Sequence, residues 1–357
     1  MTGPQPTAVK SALGPLLNGV VNYEYWLPVP SMMFNGVEAL MNTYQLRGAD
    51  QASALSRLLA CADCDWSEGL LTEVSENGWP ARGRSGGIER VIATSPQGPV
   101  EPPRIVAELA AGQPVRAVWK NELGGLTFQV GLGDTRQFVK WTPVGSGIDL
   151  AAEVARLRWA ARFTVVPRVL GEGADEMGSW IITHGLPGRM AVDDHWKRDP
   201  ATAVRAIGSG LRALHDALPV ANCPFDWSAE NRLESARSRA AAGLTRSADW
   251  SPDLQHFGTV EHALGVLTDI PPVDRLVVCH GDACAPNTLV GDDGTCTGHV
   301  DLGTLGVADR WADLAVATWS TQWNYGPGWE EPLLEAYGVE PDLERIMYYR
   351  LLWELSD

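Results

Sequence analysis

Three side chains in the C-terminal third of the sequence have types and spacing that suit phosphoryl transfer. Asn287 comes five residues after Asp282, and Asp301 lies on the next predicted hairpin. Phosphoryl transfer needs a carboxylate that orients the attacking hydroxyl and takes its proton, and oxygen ligands that hold Mg²⁺ against the phosphates. We therefore expect Asp282 to be the base and Asn287 and Asp301 to be metal ligands, with ATP and Mg²⁺ as cofactors.

The residues around these positions resemble the signature of the aminoglycoside phosphotransferases. The run from His280-Gly281-Asp282 to Asn287, followed by Val300-Asp301-Leu302-Gly303, carries most of the likeness. The flanking segments extend it: Gly306-Val307-Ala308-Asp309-Arg310, Cys223-Pro224-Phe225-Asp226 and Tyr349-Arg350-Leu351-Leu352. The resemblance covers roughly residues 104–357. It is strongest to the 3′-phosphotransferases that act on kanamycin-type antibiotics, with the 3″-phosphotransferases that act on streptomycin close behind.

The same resemblance implies nucleotide-binding residues in the preceding part of the chain. Gly124 and Gly125 match the loop that lies over the phosphates, and the backbone from His184 to Leu186 matches the hinge that binds adenine. Lys140 matches the lysine that contacts the α- and β-phosphates, and Glu153 matches its ion-pair partner. A flexible ammonium at the end of a strand needs such a fixed carboxylate to hold it in place.

Two further residues of the motif are expected to support the loop that carries Asp282. His280 is interpreted as a structural histidine that fixes this loop, in preference to a proton carrier. Asp313 resembles the family aspartate that braces the same loop.

The acceptor side is less well defined by the resemblance. Glu354 near the C-terminus and Asp249 in the segment 245–253 are expected to contact a cationic substrate. Asp309 and Arg310 could line the same site or pair with local residues, and both alternatives stay open. Trp353 stands where the family often has an acid, so the identity of the acceptor depends on other features of the site.

The charge of the chain favours a cationic partner. The net charge is −16, and residues 280–357 hold 14 acidic against 3 basic residues, which contributes −11 of it. Such a balance opposes binding to nucleic acid or to an anionic membrane, although an acidic surface that serves solubility is an equal alternative. The chain has no apolar run long enough for a membrane span and no signal-peptide pattern, and its six cysteines are spread thinly apart from the C-x-x-C of Cys61 and Cys64. These features predict a cytoplasmic protein.

The hydrophobic pattern predicts the elements that must position these residues. Strand-like runs at 116–119, 126–130, 137–141, 167–170 and 179–182 enclose one helix that begins near Leu150. Helical patterns dominate from Pro200 onward, including a long helix near residues 255–267. The sequence thus predicts an α+β, protein-kinase-like fold with an N-lobe at 104–186 and a helical C-lobe at 187–357. A proline-rich linker at 95–103 separates it from a mostly helical extension at 1–95 whose partner is unknown.

The combined prediction is an aminoglycoside O-phosphotransferase that acts on the 3′-hydroxyl and confers resistance. The first alternative is a kinase for another amino sugar, amino alcohol or cationic natural product, because fold and ATP site do not set the acceptor. The second is a catalytically silent, nucleotide-binding regulatory protein that acts through its N-terminal extension.

Overall fold

The computed structural model describes residues 93–94, 96, 98–121 and 123–356 of the chain. Most of the predicted helical extension at residues 1–95 lies outside these ranges. The part that is described, Ala93–Thr94, forms a short strand that pairs antiparallel with the strand Val115–Asn121. The first sheet therefore begins before the predicted linker.

An antiparallel sheet of six strands forms the N-terminal lobe. The strands are Ala93–Thr94 (β1), Val115–Asn121 (β2), Leu126–Val130 (β3), Gln137–Pro143 (β4), Val169–Ala174 (β5) and Gly178–His184 (β6). Their order in the sheet is β1-β2-β3-β4-β6-β5. Side chains alternate along the strands, so Phe128, Val130 and Val139 form a core with the helix Arg104–Ala110 (α1). The small lobe thus has its own core, and α1 is an element that the sequence pattern did not predict.

The helix Leu150–Ala160 (α2) follows β4 and carries Glu153. Its first turn is capped by Asp149, whose side chain accepts a hydrogen bond from the backbone N–H of Ala152 at 3.0 Å. Leu150, Val154 and Leu157 form its buried face, which packs into the larger core of the protein. The prediction of a helix here is confirmed, and its register directs Glu153 toward the sheet.

Helices make up most of the C-terminal lobe. They are Asp194–Lys197 (α3), Pro200–Ala217 (α4), Ala229–Ala241 (α5), Val260–Leu267 (α6), Trp311–Tyr325 (α7), Glu330–Tyr337 (α8) and Leu343–Ser356 (α9). α7 is the most deeply placed of them over its first three turns, because every residue from Trp311 to Thr321 is buried. The combination of an antiparallel sheet with a helical lobe confirms the predicted α+β class.

Short strands in this lobe place two connecting loops side by side. The strands are Arg189–Met190 (β7), Leu276–Cys279 (β8), Thr288–Val290 (β9), Cys296–His299 (β10) and Gly306–Asp309 (β11). β8 pairs with β11, and β9 pairs with β10. The 280s loop (residues 280–287) runs from β8 to β9, and the 300s loop (residues 300–305) runs from β10 to β11. Because both loops join the same two strand pairs, they lie next to each other.

The prediction of one long helix near residues 255–267 is wrong. A 3₁₀ turn at Pro252–Phe257 is followed by a break and then by α6. Gly258 has a φ of 69°, a left-handed conformation that ends the turn, and the side chain of Thr259 accepts a hydrogen bond from the backbone N–H of His262 at 3.1 Å. A glycine followed by a capping threonine is therefore the local reason for the break.

None of the helices in the described ranges combines the length and the apolar content that a membrane crossing requires.

Candidate active site

Lys140 on β4 joins the two lobes through two short ion pairs. Its Nζ lies 2.8 Å from Oε2 of Glu153 on α2 and 2.7 Å from Oδ1 of Asp301 in the 300s loop. Burial would lower the pKa of Lys140, but the two carboxylates outweigh it and hold the pKa well above its usual value. The ammonium therefore stays charged, and it is fixed between a carboxylate from each lobe.

The two carboxylates beside Lys140 have opposite pKa shifts. Glu153 is only 5% exposed, and burial raises its pKa despite the nearby ammonium. Desolvation in the cleft would also raise the pKa of Asp301, but the charge and hydrogen bond of Lys140 hold it below its usual value. Asp301 also has a φ of 62°, an uncommon left-handed conformation for a residue other than glycine. The lobe-bridging ion pair thus keeps a charged carboxylate on a locally strained backbone.

Asp282 and Asn287 are bonded to each other within the 280s loop. The amide Nδ2 of Asn287 donates to both the backbone oxygen and Oδ2 of Asp282, each at 2.9 Å. The other carboxylate oxygen, Oδ1, is buried and has no hydrogen-bond partner among the described residues. Burial, and then the charge of Asp301, raise the pKa of Asp282. The result is a fixed carboxylate with one free oxygen and increased basicity.

The 280s loop is anchored to the core by Asp313 on α7. Oδ2 of Asp313 accepts from the backbone N–H of His280 at 2.6 Å, and Oδ1 accepts from that of Gly281 at 2.9 Å. The buried Nε2 of His215 lies 2.9 Å from Oδ2, and its Nδ1 lies 2.8 Å from the hydroxyl of Tyr337. Burial would raise the pKa of Asp313, but the hydrogen bond and charge of His215 hold it below its usual value. Asp313 therefore braces the loop as an ionised carboxylate.

His280 connects the two loops. Its Nδ1 accepts from the backbone N–H of Asp282 at 3.3 Å, and its Nε2 lies 3.0 Å from the carbonyl oxygen of Val300. Both ring nitrogens are thus engaged, which fits a structural role better than proton transfer. The contact of the loops is close: a Cβ on Gly281, whose φ is 88°, would lie 2.4 Å from the carbonyl oxygen of Thr304. Only glycine fits this position without displacement of the 300s loop.

The predicted phosphate loop is the turn between β2 and β3. Gly124 has a φ of 85°, and the backbone N–H of Gly125 donates to Oδ1 of Asn121 at 2.7 Å. A Cβ at Gly125 would lie 2.7 Å from Nδ2 of the same asparagine. The turn therefore needs glycine at both positions, for a left-handed backbone at the first and for space at the second. Asn121 is a supporting residue that the sequence pattern did not single out.

Phe138 is a second residue that the sequence reasoning missed. It lies two positions before Lys140 on β4, so the two side chains share one face of the sheet. A Cβ on Gly185, in the hinge between His184 and Leu186, would lie 2.9 Å from Cε2 of this phenylalanine. The aromatic ring is therefore packed against the hinge. The period of two counted back from Lys140 is the signal that could have found it.

Residues 121–349, which include the side chains of the candidate site described above, match the phosphotransferase enzyme family. The chain belongs to this family. The aminoglycoside 3′-phosphotransferase of Streptomyces fradiae is 38% identical over 222 residues, which cover 59% of this chain and 81% of the relative. A solved type VIII aminoglycoside 3′-phosphotransferase matches with a TM-score of 0.60 at 31% identity, over 70% of this chain and 97% of that one.

A second solved structure is similar to this phosphotransferase to nearly the same degree. It is an aminoglycoside phosphotransferase of Streptomyces rimosus, with a TM-score of 0.58 at 27% identity over 71% of this chain and 98% of that one. The same protein has also been solved with ADP and streptomycin. Together these matches confirm the family resemblance and the kinase-like fold that the motif predicted.

Two residues predicted for the acceptor side of the phosphotransferase have local partners. Oδ2 of Asp309 accepts from the backbone N–H of Asp274 at 2.7 Å, and Nε of Arg310 lies 2.6 Å from Oδ2 of the same Asp274. Asp309 pairs with Leu276 at one end of the β8–β11 ladder, whereas the 280s loop leaves from Cys279 at the other end. At roughly 3.3 Å per residue, three residues separate these ends by about 10 Å. Both side chains are thus engaged by Asp274.

The other two predicted acceptor residues lie on segments that meet. Asp249 is exposed and pairs with Arg246 at 2.8 Å, while Oε2 of Glu354 on α9 accepts from the hydroxyl of Ser251 at 3.2 Å. The segment 245–253 and the end of α9 are thus in contact. This contact brings Asp249 and Glu354 to one region of the C-terminal lobe.

An aromatic cluster lies beside Glu354. The ring of Trp353 has its centroid 6.1 Å from that of Trp319 and 6.0 Å from that of Trp323, which is 45% exposed. On α7, which carries Trp319 and Trp323, the hydroxyl of Ser320 accepts from the backbone N–H of Ala285 in the 280s loop at 2.9 Å. Since positions three apart share a helix face, the exposed ring lies near the side of α7 that supports the 280s loop.

Proposed function

We propose that this phosphotransferase transfers the γ-phosphate of ATP to a hydroxyl group of an aminoglycoside, with the 3′-hydroxyl as the expected acceptor. The modification would inactivate the antibiotic and confer resistance. One observation carries the proposal: the free, buried oxygen of Asp282 lies in a loop that is bonded directly to the loop of Asp301, which Lys140 contacts. The names of the relatives support the acceptor class.

Asp282 orients the attacking hydroxyl and takes its proton. Nδ2 of Asn287 holds Oδ2 in place, so Oδ1 is the oxygen that faces the acceptor. The raised pKa makes the carboxylate a stronger proton acceptor, and its fixed position supplies the orientation.

Asn287 and Asp301 would hold Mg²⁺, which neutralises charge on the phosphates when it is bound. The donor set fits this ion. Because Nδ2 of Asn287 is engaged by Asp282, its amide oxygen is the atom that can coordinate a metal. Asp301 has a lowered pKa and so supplies a charged carboxylate, the hard ligand that Mg²⁺ prefers.

The nucleotide would lie between the phosphate turn and the hinge. Gly124 and Gly125 allow the β2–β3 turn to approach the phosphates, and Lys140 supplies a permanent positive charge that Glu153 holds in place. The hinge from His184 to Leu186 would bind the adenine edge through backbone groups. Phe138 would contact the face of the base, because it lies on the side of β4 that carries Lys140.

The acceptor would bind where the segment 245–253 meets the end of α9. Asp249 and Glu354 provide carboxylates there, and the charge of −11 over residues 280–357 adds a long-range attraction for a polyamine. Trp323 offers a partly exposed aromatic ring that contacts Trp353, the residue before Glu354. Asp309 and Arg310 are not included in this proposed site, because both are engaged by Asp274.

Phosphorylation assays with kanamycin and streptomycin test the proposal. ADP release by the full chain is expected with at least one of them, and Asp282→Ala should reduce turnover by about 10²–10⁴-fold while nucleotide affinity changes little. Asp292→Ala is a matched control, because Asp292 is 89% exposed and lies on a turn away from the 280s loop. An Asp282→Ala enzyme that keeps more than about a tenth of wild-type turnover would contradict the assigned role.

The same experiment separates the alternatives. ADP release with another amino sugar or amino alcohol, but with no aminoglycoside, would favour a different cationic acceptor on the same catalytic residues. Nucleotide binding without turnover on any acceptor would favour a silent regulatory protein. A resistance profile in a susceptible host, with Asp282→Ala as the negative control, shows whether the activity protects a cell.

Two further expectations belong to the proposal. The extension predicted at 1–95 would form a separate packing or interaction module up to the strand Ala93–Thr94, which belongs to the N-lobe sheet. It would be followed by an N-lobe at 104–186 and a C-lobe at 187–357. The enzyme would work in the cytoplasm, where ATP and Mg²⁺ are supplied.

A further inference from the structure

We propose that Arg136 makes the hinge selective for adenine nucleotides by excluding bases that carry an amino group at position 2, such as guanine. This inference rests on the proposed function only in that it places the base at the hinge. It names a specificity residue and does not depend on which acceptor the enzyme uses.

The guanidinium of Arg136 bonds the turn before β4 through one terminal nitrogen and the hinge through the other. Nη1 donates to the carbonyl oxygen of Gly133 at 3.0 Å, and Nη2 donates to the carbonyl oxygen of Leu186. The backbone oxygen of Arg136 accepts from the N–H of Gly185 at 2.9 Å. The half-buried side chain is therefore held at two points and the backbone at a third, and one lone pair of the Leu186 carbonyl is already used.

The packing around Gly185 fixes the side chain further. A Cβ on this glycine would lie 2.8 Å from Cγ of Arg136 and 2.9 Å from Cε2 of Phe138. The aliphatic part of the arginine and the aromatic ring thus enclose the hinge backbone together. Any base that stacks on Phe138 would have its edge close to the guanidinium.

The order of backbone groups in the hinge matches adenine. The carbonyl of His184 can accept from the 6-amino group, and the N–H of Leu186 can donate to ring nitrogen N1. The next group along is the carbonyl of Leu186, which would face position 2 of the base. Adenine carries only a hydrogen there, so the occupied carbonyl costs it no hydrogen bond.

A 2-amino group changes this balance. It is a donor that would need the Leu186 carbonyl. Nη2 of Arg136 already uses one of the two lone pairs of that oxygen, and the guanidinium beside it is a cation that offers only donors. A second donor would share the oxygen next to this positive charge, so its hydrogen bond would be weak. This loss should weaken binding by roughly 10- to 100-fold. Guanine is disfavoured twice more, because its O6 meets the His184 carbonyl and its N1–H meets the Leu186 N–H.

Three nucleotides separate these effects: ATP, GTP and the triphosphate of 2,6-diaminopurine riboside, which differs from ATP only by the 2-amino group. Affinities are measured by displacement of a fluorescent ATP analogue, with no acceptor present. The wild-type protein should bind ATP about tenfold or more tightly than the diaminopurine nucleotide. In Arg136→Met this ratio should fall to about threefold or less, because the Leu186 carbonyl is released. GTP should remain weak in both proteins.

Controls distinguish a specificity role from a structural one. Arg116→Met changes an exposed arginine on β2 that bonds Gln129 at 3.2 Å, and it should leave all three affinities unchanged. Arg136→Lys, which keeps one cationic donor, should retain part of the discrimination. A parallel loss of affinity for all three nucleotides in Arg136→Met would show a purely structural residue and overturn the inference.

The remaining outcomes are also decisive. Equal wild-type affinity for ATP and the diaminopurine nucleotide would overturn this inference and leave the proposed function intact. Failure of the wild-type protein to bind any of the three nucleotides would overturn both. Failure of aminoglycosides to be phosphorylated would affect only the proposed function.

Discussion

The residues proposed to act on the phosphate and those proposed to hold the acceptor are fixed in different ways. Lys140 and Asp301 contact each other directly across the two lobes, and Asp282 is bonded to its neighbour Asn287. On the acceptor side, the predicted residues sit in separate local pairs, of which Asp249 with Arg246 is an example. The first region is one connected network, whereas the second consists of groups that have separate local partners.

The difference follows from what each region must do. Charge that develops on a transferred phosphate is stabilised by groups already fixed in position, so small displacements are costly. A flexible polycation can instead be held by the summed field of many carboxylates, none of which needs one exact position. We therefore expect substitutions in the network to have large and specific effects, and substitutions on the acceptor side to have small and salt-dependent ones.

The largest effect is expected for Asp301→Ala. The change removes a charged ligand oxygen and leaves Lys140 with one carboxylate, so productive Mg²⁺–ATP binding should fall by on the order of 10²-fold or more. Titration of activity and of nucleotide affinity with Mg²⁺ measures this. If the Mg²⁺ curve of the variant overlays that of the wild type, the metal site lies elsewhere in the protein.

Lys140→Met should follow, with activity lower by about 10²-fold and a raised KM for ATP. The methionine keeps much of the volume but removes the ammonium, so the phosphates lose a counter-charge and the pKa of buried Glu153 should rise further. Steady-state kinetics over a range of ATP concentrations test this. Lys197→Met, on α3, provides a control. If Lys140→Met has the same kinetics as this control, Lys140 does not contact the phosphates of ATP.

Asp313→Asn tests the anchor of the 280s loop. The carboxylate accepts from the backbone N–H groups of His280 and Gly281 and contacts His215. An amide has only one acceptor oxygen, so it cannot keep all three contacts. We expect a loss of about 2–4 kcal/mol in the free energy of unfolding, with reduced turnover. Urea unfolding followed by circular dichroism measures the first. A variant as stable as the wild type would contradict the anchoring role.

The free energy of unfolding should also depend on pH through the ionisation of Asp313. The folded-state pKa of Asp313 lies below its unfolded value, so its contribution is fully present above the unfolded pKa of about 3.9. The contribution is lost as the pH falls through the lowered folded-state pKa. The stability difference between wild type and Asp313→Asn should therefore be constant near neutrality and shrink only in strong acid.

The smallest effect is expected for Glu354→Gln, with a KM for the acceptor only a few-fold higher at low salt. Added salt should raise the KM for the acceptor more than the KM for ATP, since the Debye length falls to about 8 Å at 0.15 M. Initial rates at two salt concentrations measure both. Equal salt sensitivity of the two KM values would indicate that the acidity serves solubility alone.

The sequence predicted those parts of the molecule whose information is local. The spacing of Asp282 and Asn287 is set within one loop, and the strand Leu126–Val130 follows from alternation between two glycine turns. The pairing of Arg310 with Asp274 joins positions 36 residues apart, and no spacing rule connects them. The contact of Arg136 with Leu186 likewise exists only because β4 and β6 are neighbours in the sheet. Sequence reasoning thus found the residues of the network but not the partners that tertiary structure assigns.

The anchoring of the 280s loop has a consequence for its motions. Loops near active sites usually open on their own, and their amide hydrogens exchange with water long before the core does. Here the N–H groups of His280 and Gly281 donate to a carboxylate on α7 whose side chain is 0% exposed. These two amides should exchange with deuterium as slowly as those of α7 itself. Opening of the 280s loop would then require the unfolding of the C-terminal lobe.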